Sequence, residues 1–276
     1  MSGKLVVVGT PIGNLSDFSP RAISALKECD FIAAEDTRVT GKLLNHFEIK
    51  KPLVSYYEHN KFSKGEIIID RILLGENCAL CSDAGMPVIS DPGDDLISQA
   101  YNAGIEVTTV PGPTALATAL VLSGIPSKRF TFEGFLSTNK RNRFEHLSEL
   151  RDEKRTMIFY EAPHKLKSTL EDMYDYFGDR KISLCRELTK LYEEIDRTTI
   201  GEAIKKYNEI SPKGEFVLVI AGKPEEKIEV LSIEDAANIA YELIEQGLSR
   251  TDAAKQAAKQ SGLKKSEIYN YMEKNK

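Results

Sequence analysis

The architecture of the chain is set by its first apolar segment, Leu5-Val6-Val7-Val8-Gly9-Thr10-Pro11-Ile12-Gly13-Asn14-Leu15. Four consecutive apolar residues predict a strand that is buried on both faces and ends at Gly9. Ser19-Pro20 then predicts a helix with a serine N-cap and a proline in its first position. A buried strand, a glycine-containing loop and a helix together form the repeating unit of open α/β sheets.

The same alternation continues to residue 221. Further strands are predicted at 31–34, 53–56, 77–82 and 106–110, with helices at 38–46, 62–74, 94–103 and 113–123. After a break at 123–127 come strands at 130–135, 156–160, 182–186, 196–200 and 215–221, and helices at 141–150, 164–177 and 201–208. Because apolar strands alternate with helices, we predict two α/β domains, 1–124 and 125–223, with mainly parallel sheets covered on both faces.

Residues 224–276 show no strand pattern and are predicted to form a small all-α segment. Lys223-Pro224-Glu225-Glu226-Lys227 predicts a charged linker, and helices are predicted at 233–246, 250–260 and 265–273. The tight turn Ser261-Gly262-Leu263 is typical of a helix-turn-helix. From Leu248 onward the sequence contains seven Lys or Arg and three acidic residues. This excess of positive charge indicates either an appendage that contacts RNA or a helical cap with a solvated basic face.

The composition excludes several classes of protein. Of 276 residues, 41% are hydrophobic and 29% charged, which is typical of a globular protein. A formal net charge of −5 argues against a protein that coats nucleic acid, so such contacts require a local patch. No apolar run is long enough for a membrane span. With four cysteines we expect a reducing, cytoplasmic location, and we interpret Cys78-Ala79-Leu80-Cys81 as a buried strand rather than a metal or redox site.

Three loops rich in glycine, proline or aspartate follow predicted strands. The loop at 9–15 lacks a dinucleotide fingerprint, because Pro11 stands where a second glycine is required, and no Walker A sequence follows. The other two are Ser82-Asp83-Ala84-Gly85-Met86-Pro87-Val88-Ile89-Ser90-Asp91-Pro92-Gly93 and Val110-Pro111-Gly112-Pro113-Thr114-Ala115. Since the carboxyl ends of parallel strands share one sheet edge, we expect the loops to converge on one ligand. The loop at 9–15 argues against a phosphate cradle, which leaves a nucleoside-type ligand without phosphate open.

These loops and several other segments resemble the ribosomal RNA small subunit methyltransferase I family over residues 4–222, and the C-terminal helices fit that family as well. The resemblance is carried by Gly9–Leu15, Glu35-Asp36-Thr37-Arg38, Ser82–Gly93, Pro111-Gly112-Pro113, Phe132-Glu133-Gly134-Phe135-Leu136, Phe159-Tyr160-Glu161-Ala162-Pro163-His164, Arg186-Glu187-Leu188-Thr189-Lys190 and Lys213-Gly214-Glu215-Phe216. It implies an S-adenosylmethionine (SAM)-dependent enzyme of the tetrapyrrole-methylase-like class, usually a homodimer, with SAM in the cleft between two α/β domains. The implied reaction is 2′-O-methylation of a cytidine ribose in the decoding region of 16S rRNA.

The resemblance also implies which residues hold the cofactor. One departure from the family pattern is Met86, which stands where threonine is common, and we expect it to alter SAM affinity at most. No metal is implied. The implied SAM-binding residues are Gly9, Thr10, Pro11, Gly13, Asp83, Gly85, Met86, Val88, Thr114, Ala115, Tyr160, Ala221 and Gly222.

A ribose hydroxyl is a weak nucleophile, so a base or an oriented acceptor helps the transfer. The candidates are charged residues expected at strand ends: Glu35, Asp36, Arg38, Glu161, Glu187 and Lys190. In a generic Rossmann arrangement Asp36 would bind the cofactor ribose instead, but we favour a role toward the substrate. Candidate RNA contacts are cations of the 135–143 loop, which could also be a solvated helix start, and of the C-terminus: Lys140, Arg141, Arg143, Arg250, Lys264 and Lys265.

Two other functions remain open at this point. One is a tetrapyrrole or other small-molecule methyltransferase on the same scaffold. The other is a non-enzymatic regulator that binds nucleic acid through the C-terminal helices. The basic loop and basic C-terminus favour RNA over a small acceptor, and the three ligand loops disfavour a pure regulator.

Overall fold

A computed structural model of the chain describes residues 2–224 and 231–275. The chain divides into two compact units, Met1–Lys223 and Pro224–Lys276. Of the predicted linker at 223–227, residues 225–227 lie outside the described residues. The predicted division of the first unit into domains at residues 124–125 stays a prediction.

The first sheet has five strands, all parallel, in the order β3-β2-β4-β1-β5. The strands are β1 (Lys4–Val8), β2 (Phe31–Ala34), β3 (Leu53–Ser55), β4 (Cys78–Cys81) and β5 (Glu106–Val110). The helices are α1 (Pro20–Glu28), α2 (Thr37–His46), α3 (Lys61–Leu73), α4 (Gly93–Asn102) and α5 (Ala115–Ser123). Ser19 caps α1 by accepting the Ala22 N–H, as the sequence predicts. The prediction of a parallel sheet is confirmed for this half of the unit.

The two faces of the first sheet carry separate hydrophobic cores. Cys78 packs in one core with Phe31 and Ile68, and Cys81 packs in the other with Leu26. Burial raises the pKa of both thiols, and neither is in a disulfide. All four residues of β4, Cys78–Cys81, are buried, so the prediction of a buried strand at this Cys-x-x-Cys is confirmed.

The second sheet differs from its prediction. Its order is β6-β7-β10-β8-β9, and only β6 and β7 pair in parallel. The strands are β6 (Phe130–Phe135), β7 (Thr156–Glu161), β8 (Lys181–Arg186), β9 (Glu194–Thr199) and β10 (Phe216–Ile220), and the helices are α6 (Lys140–Glu149), α7 (Leu166–Phe177) and α8 (Ile200–Glu209). The expectation of a mainly parallel second sheet is therefore wrong.

Two features explain the antiparallel pairing. The connection from β8 to β9, residues 187–193, is too short for a parallel crossover, which needs about a dozen residues. Strand β10 inserts between β7 and β8 and runs against both. A continuous apolar sequence predicts a strand that is buried on both faces, and all five residues of β10 are indeed buried. Burial does not determine whether such a strand pairs in parallel or antiparallel.

Helix α5 connects the two sheets. It is apolar around its circumference, but only part of it is buried: Ala119, Leu120 and Ser123 are buried, whereas Ala117 and Val121 are exposed. Ala119 and Leu120 pack in one cluster with Val217 and Val219 of β10 and Cys185 of β8. The carboxyl edge of the first sheet is thereby held beside the end of the second sheet where β7 finishes and β10 begins.

The C-terminal unit contains three helices close to the predicted ranges: α9 (Ile233–Glu245), α10 (Arg250–Ser261) and α11 (Lys265–Lys274). Its core is built from small side chains such as Ala236, Ala253 and Ala257, closed by Ile268 and Met272. Ser249 caps α10, and Gly262 ends it in the left-handed conformation at a φ of 70°, which confirms the predicted tight turn. None of the described helices is long and apolar enough to cross a membrane.

Candidate active site

A cavity of about 520 Å³ opens at the carboxyl edge of the first sheet and is closed by the end of the second. This is where open α/β sheets bind ligands. All three predicted loops contribute to its wall, together with the ends of β2, β6 and β7 and the start of β10. Its lining residues are Ile12, Glu35, Ser82–Met86, Ile89–Asp91, Thr114, Ala115, Phe135, Tyr160–Pro163 and Glu215–Val217.

The first loop supports the cavity from behind. The Gly9 N–H donates to the Val110 carbonyl at 3.0 Å, and the Thr10 N–H donates to the Gly85 carbonyl at 2.9 Å. A Cβ on Gly9 would lie 2.6 Å from Met86 Sδ and 2.7 Å from the Gly112 backbone, so only glycine fits this crossing. Of this loop, Ile12 reaches the cavity wall, whereas Gly9, Thr10, Pro11 and Gly13 do not.

The Ser82–Gly93 loop forms much of the wall and holds an unusual backbone. Val88 and Ser90 have φ angles of 81° and 71°, a region that a β-branched side chain rarely adopts. Asp91 Oδ1 stabilises this shape by accepting the N–H groups of Val88 and Gly93, each at 2.9 Å. The other oxygen, Asp91 Oδ2, is buried without a hydrogen bond to any residue that the structure describes. Burial raises the pKa of Asp91.

The carboxylates after β2 meet the same loop. The Asp83 N–H donates to Glu35 Oε2 at 3.3 Å, and the Asp36 N–H donates to Asp83 Oδ1 at 3.0 Å. Burial, together with the carboxylates of Asp83 and Asp91, raises the pKa of Glu35. Of the three charged residues in the Glu35–Arg38 segment, only Glu35 lines the cavity.

Asp36 and Arg38 neutralise each other at the rim. Arg38 donates to both carboxylate oxygens of Asp36, with Nη2 2.6 Å from Oδ2 and Nε 3.0 Å from Oδ1. Hydrogen bonds from the Arg38 side chain and backbone lower the pKa of Asp36 to about 2. The Asp36 carboxylate is therefore a weak base, and it contacts Arg38 at the start of its own helix rather than the cavity.

Glu161 lines the cavity, but both of its carboxylate oxygens have structural partners. Oε1 accepts the Ala162 N–H at 2.8 Å, and Oε2 accepts the Thr169 hydroxyl at 2.6 Å. These bonds hold the end of β7 against α7.

Glu187 and Lys190 form an ion-pair cluster with Glu215 beside the cavity. Lys190 Nζ lies 3.0 Å from Glu187 Oε1 and 2.8 Å from Glu215 Oε2, and only Glu215 lines the cavity. Burial lowers the pKa of Lys190, but the two carboxylates raise it by more, so the pKa lies above its ordinary value and Lys190 stays protonated at neutral pH. The Glu215 N–H and Lys190 lower the pKa of Glu187. The ammonium group of Lys190 is thus paired with two carboxylates, and the cluster as a whole has a net charge of −1.

Tyr160 joins the two halves of the cavity. Its hydroxyl accepts the Leu116 N–H at 3.2 Å, in the first turn of α5. The rings of Phe132 and Phe135 meet the Tyr160 ring at centroid distances of 4.9 and 5.5 Å. An aromatic wall thus faces the Ser82–Gly93 loop across the cavity.

Comparison with known proteins identifies the family of the chain. Residues 4–204 match the tetrapyrrole (corrin/porphyrin) methylases. The chain belongs to the tetrapyrrole methylase family. It is similar to proteins named ribosomal RNA small subunit methyltransferase I: 48% identity to that of Halalkalibacterium halodurans, over 97% of this chain and 94% of the relative, and 45% to that of Bacillus subtilis, over 97% and 93%. It belongs to that group of methylases.

Two solved structures of other proteins share the fold. Uroporphyrin-III-C-methyltransferase from Thermus thermophilus superposes with a TM-score of 0.58 at 19% identity, covering 80% of this chain and 94% of that one. A diphthine synthase superposes with a TM-score of 0.60 at 14% identity, covering 80% and 90%. At these identities the likeness supports the methylase fold alone.

Six of the residues predicted to bind the cofactor line the cavity of this methylase: Asp83, Gly85, Met86, Thr114, Ala115 and Tyr160. Val88 lies within the loop but not on the wall. Ala221 and Gly222 follow the far end of β10, where a Cβ on Gly222 would meet the Lys154 backbone. The resemblance to the family implied both as cofactor-binding residues. Since β10 runs antiparallel to β7, its first residues, Phe216 and Val217, lie at the cavity instead.

The predicted RNA-binding cations have different surroundings. On α6, Lys140 and Arg141 are exposed, whereas Arg143 is only 18% exposed and binds Asp172 at 2.7 Å. Arg141 pairs with Glu145 on the surface at 2.9 Å. In the C-terminal unit, Lys264 and Lys265 are exposed at the start of α11, and Arg250 pairs with Glu273 at 2.9 Å.

Proposed function

We propose that this methylase transfers a methyl group from SAM to the ribose 2′-oxygen of a cytidine in the decoding region of 16S rRNA. The observation that carries the proposal is near-full-length similarity, 41% identity or more, to relatives named for ribosomal RNA of the small subunit. A small-molecule acceptor has less support, since the porphyrin enzyme shares only the fold. A non-enzymatic regulator leaves the cavity without a use.

The lining of the cavity fits SAM. Its volume of about 520 Å³ lies in the range of small-molecule sites. Apolar walls at Ile12, Met86 and Tyr160 suit an adenine ring, whereas Asp91 suits a positively charged group of the cofactor. Asp91 Oδ2, buried without a partner in the described chain, is an acceptor for which a ligand donor is expected.

The six catalytic candidates do not fit the role of base equally well. When bound, SAM supplies the reactive methyl group. Glu35 lines the cavity, its pKa is raised, and Oε1 is not used by the Asp83 N–H. A carboxylate whose pKa is raised toward neutrality is the better proton acceptor. We therefore assign Glu35 to accept the proton of the 2′-hydroxyl group.

The remaining charged residues orient the substrate or support the site. Lys190, paired with both Glu187 and Glu215, holds these two carboxylates together beside the cavity wall and is proposed to support the site. Glu161 keeps the end of β7 in place. Lys140 and Arg141 on α6, with Lys264 and Lys265 on α11, are proposed to contact phosphates of the RNA backbone. The proposed active form is a homodimer in the cytoplasm.

A transfer assay tests the proposal. Small ribosomal subunits from a strain that lacks this modification are incubated with the protein and SAM carrying a radioactive methyl group. Label is expected in 16S rRNA and not in an added porphyrin precursor. Subunits from the wild-type strain, whose target is already methylated, are the matched control and should accept no label. Label in the porphyrin alone, or equal label in both kinds of subunit, would refute the proposal.

A further inference from the structure

We propose that Arg38, Tyr57, His59 and Phe62 form a stacking platform on which unpaired bases flanking the target nucleotide bind. This inference rests on the proposed function, because it concerns how the RNA reaches the same cavity. Unpaired RNA bases are recognised by stacking on aromatic rings and on the planes of guanidinium groups. All four members of the platform have side chains of that kind.

The topology places the four residues beside the cavity. Strands β2 and β3 are neighbours, with Ala34 opposite Ser55, and the Tyr56 N–H donates to the Ala34 carbonyl at 2.8 Å. The chain therefore leaves both strands at the same edge. The next residue after β2 is Glu35 of the cavity wall, and the segment after β3 carries Tyr57 and His59.

The segment after β3 is held in place although its rings are exposed. Asn60 Oδ1 accepts the Tyr57 N–H at 2.8 Å, and Asn60 Nδ2 donates to the Ser55 carbonyl at 3.1 Å. Lys61 Nζ lies 2.5 Å from Asp95 in the first turn of α4, which follows the Ser82–Gly93 loop. On this support Phe62 is 73% exposed and Tyr57 is 42% exposed, so two aromatic side chains of the segment are open to solvent.

Arg38 contributes a flat face rather than a free charge. Its side chain is 86% exposed, and Asp36 binds it through the edge of the guanidinium group at two oxygens. An edge-on pair leaves both faces of the plane open for stacking on a base. The carboxylate also fixes the orientation, which reduces the conformational entropy lost on binding.

The charge of this surface selects RNA as the occupant over an apolar protein. Residues 36–47 and 56–64 together contain four Lys or Arg against two acidic residues, and Asp95 of α4 adds a third carboxylate at Lys61, within a chain whose net charge is −5. Lys42 and Lys64 have no carboxylate partner within the described part of the chain. Cations interleaved with stacking rings are typical of surfaces for single-stranded nucleic acid.

Substitutions at Phe62 test the platform. Phe62→Ala is expected to raise the KM for small subunits roughly tenfold, since base–aromatic stacking is lost. Phe62→Tyr should keep the wild-type KM, whereas Phe62→Leu, which keeps the apolar surface but not the ring, should behave like Phe62→Ala. Tyr101→Ala is the matched control, because Tyr101 is 63% exposed in the last turn of α4, and should leave KM unchanged. SAM affinity, measured by calorimetry, should be equal in all variants.

Three results would overturn the platform. The first is a wild-type KM in Phe62→Ala, and the second is a Phe62→Leu variant that behaves like wild type. The third is a change of sedimentation coefficient in Phe62→Ala, because such a change would assign the surface to a contact between copies of the chain. In parallel, photocrosslinking is used to detect binding of the protein to small subunits. A wild-type protein that crosslinks through Phe62 but transfers no methyl group would refute the proposed function and not the platform.

Discussion

The hydroxyl of Tyr160 accepts the backbone N–H of Leu116 at 3.2 Å, so one hydrogen bond ties the end of β7 to the first turn of α5. The residue before Leu116, Ala115, and Tyr160 itself both line the cavity. Burial raises the pKa of Tyr160, so the hydroxyl stays neutral at physiological pH. The two halves of the cavity are thus joined at the point where the cofactor is proposed to bind.

We expect Tyr160→Phe to lower the free energy of unfolding by about 1–2 kcal/mol, because the Leu116 N–H loses its partner. SAM affinity should fall several-fold as the wall loosens. Denaturant unfolding and calorimetric titration measure the two effects. Tyr192→Phe is the control, since Tyr192 is 70% exposed and lacks a described hydrogen bond. Identical behaviour of the two variants would show that the Tyr160–Leu116 bond has no role.

Glu35→Gln should reduce kcat by roughly 10²–10⁴-fold, the range that general base catalysis supplies. The amide keeps the acceptor for the Asp83 N–H, so the fold should be unchanged. Asp36→Asn is the matched control and should lower kcat far less, because Asp36 is paired with Arg38. Single-turnover assays on small subunits measure both variants. A larger loss in Asp36→Asn than in Glu35→Gln would exclude Glu35 as the base.

The same assignment predicts the pH dependence of kcat. The base must be ionised, so kcat falls as the pH drops through the pKa of Glu35. Burial raises that pKa above its ordinary value of 4.5, so the acid limb should lie above pH 4.5. This limb should disappear in Glu35→Gln, whose residual rate would be flat across the same range. An unchanged limb in that variant would assign it to another group.

Gly9→Ala should destabilise the protein by about 1–3 kcal/mol, because the added methyl group overlaps with Met86 and the Gly112 backbone. Gly41→Ala is the matched control. A Cβ there has Leu53 Cδ1 as its near contact at 3.8 Å, and alanine inside α2 should be neutral or stabilising by up to about 1 kcal/mol. Equal stability of Gly9→Ala and wild type would contradict the close crossing of the first and third loops.

Two neighbouring arginines of α6 should separate RNA binding from stability. Arg141 is 83% exposed, so Arg141→Ala should weaken binding to small subunits and leave thermal unfolding unchanged. Arg143 binds Asp172 at an exposed fraction of 18%, so Arg143→Ala should lower the melting temperature. Filter binding and calorimetry measure the pair. The reverse pattern would place the RNA contact at Arg143.

Much of the fold follows from local sequence patterns. The apolar run at Val6–Val8 and the cap Ser19-Pro20 are short-range signals, and the helices and strands they predict are present. Strand direction in the second sheet is not local. The residues of β10 have the same buried pattern in either direction, so the neighbours of β10 determine it.

The site was predictable where loops follow parallel strands, and less so elsewhere. Asp83 and Thr114 lie on the cavity because their strands share an edge. Glu215 and Phe216 were missed as lining residues, since their place depends on the antiparallel course of β10. The ion pair of Arg143 with Asp172, a residue of α7, could not be predicted from the basic loop alone.

The most direct measurement is nucleoside mass analysis of 16S rRNA from small subunits that lack the modification, after incubation with the protein and SAM. We predict one new 2′-O-methylcytidine, within a decoding-region fragment, that is absent when Glu35→Gln replaces the wild-type protein. A methyl group on a base, a 2′-O-methylcytidine outside the decoding region, or no new methylated nucleoside would contradict the account.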